Sequence, residues 1–280
     1  MAISSERCRL LFRKLDRDLE RLSSEPSPQT IHRFRTGVRR LHVLLGEVVP
    51  RQDRNRKKML KTLNRLRKRA GKVRDIDMQL AALRTLKSSQ EPRRKTQLMQ
   101  TLLELRARYE RKLRKSITKK DLAGISKGLK RLPGQLRGQR KGDPLVVAGK
   151  ILRKVIPPVG EVSDEQLHVF RTEIKRARYA VEFCADSRSS RETLAQLQHL
   201  QDSLGQWHDW ATLTANASQR LGDIHQSSLV ASLHSVTRSK FRQAVRALAA
   251  SPLLRNQKTT AAANEPRKSA TPALARTAAA

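Results

Sequence analysis

Apolar residues recur at helical spacing along almost the whole chain. The segments are Cys8–Leu22, Ile31–Val49, Met59–Leu86 and Leu98–Ile117, then Leu145–Ile156, Leu167–Cys184, Leu194–Leu221 and Leu229–Leu248. This predicts an all-α protein of eight helices, four in each half, arranged as two four-helix bundles. Pro26, Pro28, Pro50, Pro92, Pro157 and Pro158 fall at the boundaries, where a missing N–H and a fixed φ do least harm. Ser163-Asp164-Glu165-Gln166 has the form of a capping box, in which a serine and a residue three further on satisfy orphan amides. Residues 121–144 hold Gly124, Gly128, Pro133, Gly134, Gly138 and Gly142 and read as a linker. The expected organisation is therefore a first half over 4–120, the linker over 121–144 and a second half over 145–250. A basic, Ala-rich tail without apolar period occupies 254–280 and reads as disordered.

Two of these helices carry the same pattern. Ile31-His32-Arg33-Phe34-Arg35-Thr36 returns as Leu167-His168-Val169-Phe170-Arg171-Thr172, 136 positions later. Arg39 and Arg40 in the first copy are answered by Lys175 and Arg176 in the second, with His42 and Arg178 two residues beyond. Counting about 100° per residue from His32, Arg35, Arg39 and His42 fall at about 300°, 340° and 280°, while Phe34, Val38 and Leu41 fall at about 180–260°. The cations thus run along the shoulder of the apolar stripe. That position suits the wall of a cleft between packed helices better than a solvent-facing surface. A second echo follows each copy, Gly71 with Asp75 and then Gly205 with Asp209. Arg106 and Arg238 form a fainter pair, each three residues before an aromatic, Tyr109 and Phe241. The repeated structure predicts that both copies face each other and form one track.

Charge sharpens this picture. Sixty Lys and Arg oppose 25 Asp and Glu, a formal net charge of +35. Such self-repulsion favours a polyanionic partner. The excess is uneven: residues 31–75 hold 16 Lys and Arg against three acids, whereas 167–209 hold six of each. The second half nevertheless keeps Arg171, Lys175, Arg176 and Arg178, which separates a binding strip from general solvated charge. The twelve cations of Arg51–Arg74 surround their helix and read mainly as solvated charge. Aromatics make up only 3%, few for stacking against single-stranded bases. Cys8 and Cys184 are too few for a disulfide framework and fit a reducing cytoplasm. No apolar run is long enough to span a bilayer, so no membrane partner is expected.

At the repeated residues the chain resembles the CHAD family, the conserved histidine α-helical domain. The matching pieces are His32-x-x-Arg35-x-x-x-Arg39-Arg40-Leu41, His168-x-x-Arg171-x-x-x-Lys175-Arg176-x-Arg178-Tyr179, Gly71-x-x-Arg74-Asp75-x-Asp77 and Leu204-Gly205-x-x-x-Asp209. The resemblance covers roughly residues 4–250. It implies two four-helix bundles related by a pseudo-twofold axis, a basic central channel that binds inorganic polyphosphate, and association with polyphosphate granules and their proteins. Some members carry a triphosphatase domain with a Glu-x-Glu-x-Lys motif. This chain has no Glu-x-Glu, and it resembles a stand-alone binding domain. His42 stands where the family usually has Arg, and Ala177 where it usually has Leu.

The candidate polyphosphate contacts are accordingly His32, Arg35, Arg39, Arg40, His42, Arg106, His168, Arg171, Lys175, Arg176, Arg178 and Arg238. Arginine suits the ligand, because its fork can hold two phosphate oxygens at once. The histidines His32, His42 and His168 are expected to make binding stronger as pH falls. Asp75 and Asp209 are read as structural partners of arginines, and Trp207 and Trp210 as packing residues. There is no Walker loop, Gly-x-Ser-x-Gly, His-Glu-x-x-His or magnesium-holding acidic cluster, so neither catalysis, a cofactor nor a metal is expected. The competing reading is a sequence-nonspecific, histone-like nucleic-acid binder.

Overall fold

Side-chain caps begin most of the helices where the apolar period starts. In the computed structural model, which describes residues 2–50, 53–87, 91–137, 142–155, 162–222 and 224–255, serine side chains accept from backbone amides three residues on at Ser4, Ser27, Ser163, Ser187 and Ser227. The Ser163–Gln166 capping box forms as the sequence predicts. Nine α-helices result among the described residues: α1 (Ser5–Ser24), α2 (Pro28–Val43), α3 (Arg54–Thr85), α4 (Pro92–Lys115), α5 (Lys119–Gln135), α6 (Pro144–Leu152), α7 (Asp164–Val181), α8 (Arg188–Leu221) and α9 (Ser228–Ala250). A π-helical turn, Leu44–Val48, extends α2. The described residues contain no strand beyond one isolated bridge, Ile3 to Cys184, that ties the N-terminus to the end of α7.

The ninth helix is the segment expected to be a linker. Thr118 caps α5, whose Ile125, Leu129 and Leu132 are buried against α1 and α3. Burying three such side chains is worth several kcal/mol, about 1.5–3 each, enough to outweigh the poor helix propensity of the glycines. Gly128 has a specific role: a Cβ there would lie 2.5 Å from the Met59 sulfur, so its glycine lets α5 close onto α3. The tail boundary also shifts slightly. Leu254 is buried in the main core, while residues 256–280, the bulk of the expected tail, lie outside the described residues, as do Ile156, Pro157 and Pro158.

Two apolar cores hold the helices, and each draws on both halves of the chain. The larger gathers Leu15, Phe34, Leu41 and Leu66 with Leu129, Phe170, Ile174 and Leu204. The smaller joins the far ends of two helical hairpins, α3–α4 and α8–α9, through Leu80, Leu83, Leu102, Leu213 and Leu233. Helix α2 packs directly on α7, and α3 packs on α8. The helices bearing the two copies of the repeat are therefore neighbours.

Candidate functional site

Beside the α2–α7 contact lies a cleft of about 420 Å³, walled by Arg39, His42 and Val43 of α2, Glu47 of the π turn, Asn64 and Arg67 of α3, and Arg171, Thr172, Lys175, Arg176 and Tyr179 of α7. The apolar stripes of α2 and α7 are consumed by the core, which leaves their basic shoulders facing this space. A smaller cavity of about 80 Å³ lies between α1 and α5, lined mainly by apolar groups such as Phe12, Val49 and Leu136.

The arginine at the centre of each repeat is held differently. Arg35 is almost buried, with its side chain 13% exposed. Its Nη1 donates to the Gly71 carbonyl at 2.6 Å and to Asp75 Oδ1 at 3.1 Å. Gly71 leaves room for this: a Cβ there would come within 3.3 Å of the same Nη1. Helix α3 passes through Gly71 without interruption, so the glycine serves a guanidinium and not a helix break. Arg171 has no such clamp. Its Nε is buried without a hydrogen-bond partner, and the space over Gly205 is open, with nothing within 4 Å of a built Cβ.

Burial and crowding set the charge states here. Lys175 is pushed down to about 7, first by burial and then by the Arg171 and Arg39 charges, with Asp209 opposing. Arg171 is lowered to about 10 by burial, partly offset by Asp209. Burial and Arg171 hold His208 near 3. Its ring lies 5.2 Å from that of His168. Asp209 is itself raised by burial in spite of Arg171 and Lys175. His42 and His32 are both lowered, mainly by burial, with Arg67 adding to the effect at His42 and Arg74 at His32. In the free protein these causes favour the neutral form of both rings, which moves the expected histidine-based pH response to lower pH. The His42 Nε2 is a further buried atom without a partner.

Of the twelve candidate residues, Arg39, His42, Arg171, Lys175 and Arg176 line the cleft, and Arg35, through its charge, acts on Arg171 and Lys175 beside it. His32 and His168 lie on exposed positions in the second turns of α2 and α7. Four candidates are occupied otherwise or stand apart. Arg40 grips Glu182 with two bonds, at 2.5 and 3.0 Å. Arg178 shares that carboxylate at 3.1 Å and donates to Gln198 at 2.7 Å, with its guanidinium over the Tyr179 ring. Arg106 bridges Asp77 and Glu110, both at 2.7 Å. Arg238 is exposed on α9. Arg176, although it borders the cleft, is tied to Glu173 and to Glu47 of the π turn. A helical wheel gives the direction of these side chains. It cannot reveal that Glu182 and Glu47 would be waiting for them.

Helix α3 supplies cleft residues that the sequence reading assigned to solvent. Arg67 is lowered by burial and by Arg39, and Asn64 orients it by accepting from Nε at 3.1 Å and from Nη2 at 2.7 Å. Arg74 acts on His32 and Asp209. Asn64, Arg67, Gly71 and Arg74 are spaced by three or four, one face of a helix centred on the glycine motif, which was the available signal. Trp207 is buried and meets Phe241 edge-on at 6.3 Å, as a packing residue should.

The arrangement is therefore an all-α fold with a cleft of arginines and one lysine, whose one lining carboxylate, Glu47, is paired with Arg176, built where two similar helices meet. The CHAD domain family model matches residues 6–218, and the chain belongs to that family. A crystal structure of the CHAD domain from the plant Ricinus communis is similar in fold, with a TM-score of 0.64 over 91% of each chain at 19% sequence identity. A comparison with curated proteins finds no match. Among the described residues, no helix is long and apolar enough to cross a membrane, and no group of three or more His, Cys, Asp or Glu side chains is placed to hold a metal ion.

Proposed function

We propose that this chain binds inorganic polyphosphate in the α2–α3–α7 cleft, as a binding protein and not an enzyme, and that it does so on polyphosphate granules in the cytoplasm. The observation that carries this reading is the electrostatic imbalance of the cleft. Arg39, Arg67, Arg171 and Lys175 share it, Lys175 is held down to about 7 by burial and then by the Arg171 and Arg39 charges, and Arg171 keeps a buried donor without a partner. A linear phosphate chain supplies what is missing, namely many acceptors and many negative charges, with no base to stack. Each well-placed charge-assisted contact contributes about 1.5–3 kcal/mol, and counterion release adds to the total. Arg39, Arg67, Arg171 and Lys175 are the phosphate contacts, with Arg35 fixed beside them by Gly71 and Asp75.

Isothermal titration of short polyphosphate into wild type and into an Arg39→Gln/Arg171→Gln variant tests the reading. The variant should bind about 100-fold or more weakly, from two lost contacts at about 1.5 kcal/mol each. Unchanged affinity would move the ligand off the cleft.

A further inference from the structure

We infer that α3 presents a second polyanion surface on its outer side, and that this surface takes the backbone of duplex nucleic acid while the cleft remains free for polyphosphate. The run Arg51–Arg74 was too basic for the cleft to use. The structure shows where the surplus goes. Arg54, Lys57, Lys58, Lys61, Lys68 and Lys72 are all exposed. At about 100° per residue they fall within about 100° of arc, and at 1.5 Å rise they extend over about 27 Å of helix. Arg67 and Arg74, which serve the cleft side, are turned about 80–100° from the nearer edge of this strip.

The strip is widened by its neighbours. Arg69 Nη1 donates to the Lys112 carbonyl at 3.2 Å, and Arg65 donates to the Ser116 carbonyl at 3.1 Å and to Asp121 at 2.7 Å. These bonds fasten α3 to the α4–α5 corner, where Lys112, Lys115, Lys119 and Lys120 are exposed. The nearest acids are already engaged, Asp53 by the Arg56 amide, Asp75 by Arg35 and Asp121 by Arg65. Nor does the shared architecture require such a strip. Helix α8 is 34 residues long against 32 for α3, yet its only cations, Arg188, Arg191 and Arg220, sit near its ends.

The chemistry of the strip selects among polyanions. A straight, rigid row of cations matches a rod carrying one charge per about 1.7 Å. Single strands would need stacking rings, and the nearest ring, Tyr109, is covered by the Lys72 ammonium at 5.7 Å. A lipid surface would add, to the electrostatic attraction, the insertion of apolar side chains. Among the described residues the exposed large apolar side chains are Leu10, Leu103, Val146, Val169 and Ile224, none of them on α3. Of these only Leu103 belongs to α4, and it lies about 180° around that helix from Lys112.

The test uses the full chain and a Lys58→Gln/Lys61→Gln/Lys68→Gln variant, all three exposed and none of them in the cleft lining. The probes are a short mixed-sequence DNA duplex, a single strand of the same length, vesicles of anionic and neutral phospholipid, and short polyphosphate. The duplex should bind the variant about tenfold or more weakly, with a salt dependence shallower by about 2.7 in log K against log salt. Short polyphosphate should bind the variant within about twofold of wild type, and protein saturated with it should still bind duplex. Wild-type duplex affinity in the variant would overturn the inference. So would loss of duplex binding on saturation with polyphosphate, or vesicles or single strands binding the strip as well as duplex. The inference assumes that polyphosphate occupies the cleft. If wild type fails to bind short polyphosphate, that reading falls, while the effect of the variant on duplex binding still decides this one.

Discussion

Arg35 and Arg171 occupy the same position in two copies of one motif, yet one is satisfied and the other is not. Arg35 lies over Gly71, donates to its carbonyl and meets Asp75. Arg171 is similarly buried, keeps an unpartnered Nε and has empty space over Gly205. The same residue type in the same register therefore serves two ends. In the first copy the guanidinium fastens α2 to α3 while lending its charge to the cleft. In the second its hydrogen-bonding capacity is left for something else. A buried donor without a partner costs about 1–3 kcal/mol, a cost that a bound anion would remove.

This difference can be broken by mutation. Replacing Arg171 by Glu should cause the largest loss of polyphosphate affinity of any single substitution, about 100-fold or more, because it removes one charged contact and adds a repelling charge. Arg35→Ala should weaken binding less and lower the melting temperature more, since it strips the Gly71 and Asp75 partners. Equal binding losses from Arg35→Ala and Arg171→Ala would erase the distinction.

The proton balance of the cleft gives the next largest effect. Lys175 faces Arg171 on its own helix, Arg39 and Arg35 on α2, Asp209 on α8 and, across the cleft, Arg67 on α3. Free, it is held down to about 7. A polyanion favours the ammonium and raises that value in the complex. Affinity should therefore be fully developed below pH 7 and fall, by up to about tenfold per pH unit, as pH rises from 7 toward the bound value. Lys175→Met should flatten this profile. The same substitution should stabilise the free protein at pH 7. The folded value lies below the unfolded one of ~10.4, so the unliganded fold gains stability only as pH rises through that window. Removing the buried charge should contribute about 1 kcal/mol or more, or about 2–4 °C in Tm. A melting temperature that falls on Lys175→Met would show the lysine to be a structural ion-pair member.

The smallest effect is also the most direct contrast between the copies. Gly71→Ala places a methyl within 3.3 Å of Arg35 Nη1 and should destabilise. Gly205→Ala meets nothing and should stabilise, by about 0.5–1 kcal/mol from helix propensity. Urea denaturation of both variants would show opposite signs. Matching signs would mean that the clamp on Arg35 is unimportant.

Much of this architecture was legible in the amino-acid pattern, and the failures have physical causes. Apolar periodicity located eight of the helices because each buries one stripe. Helix α5 was hidden by glycines that look like linker residues, although Gly128 is small in order to meet Met59. The shoulder position of Arg39, Arg171 and Lys175 was readable from angles alone. The pairing of Arg40 and Arg178 with Glu182, and of Arg176 with Glu47, was not, because those contacts depend on how helices pack. Arg67 was lost in a crowd of like charges, where only the three- and four-residue spacing around Gly71 marks the inward face.

The central claim is that the cleft between α2, α3 and α7 holds the polyphosphate chain. A crystal structure of the protein with short polyphosphate tests it most directly. The account predicts phosphate oxygens within hydrogen-bond distance of the Arg39, Arg67 and Arg171 guanidinium groups, with the Arg171 Nε donating to one of them. Phosphates on the outer lysines of α3 with an unchanged, empty cleft would contradict it.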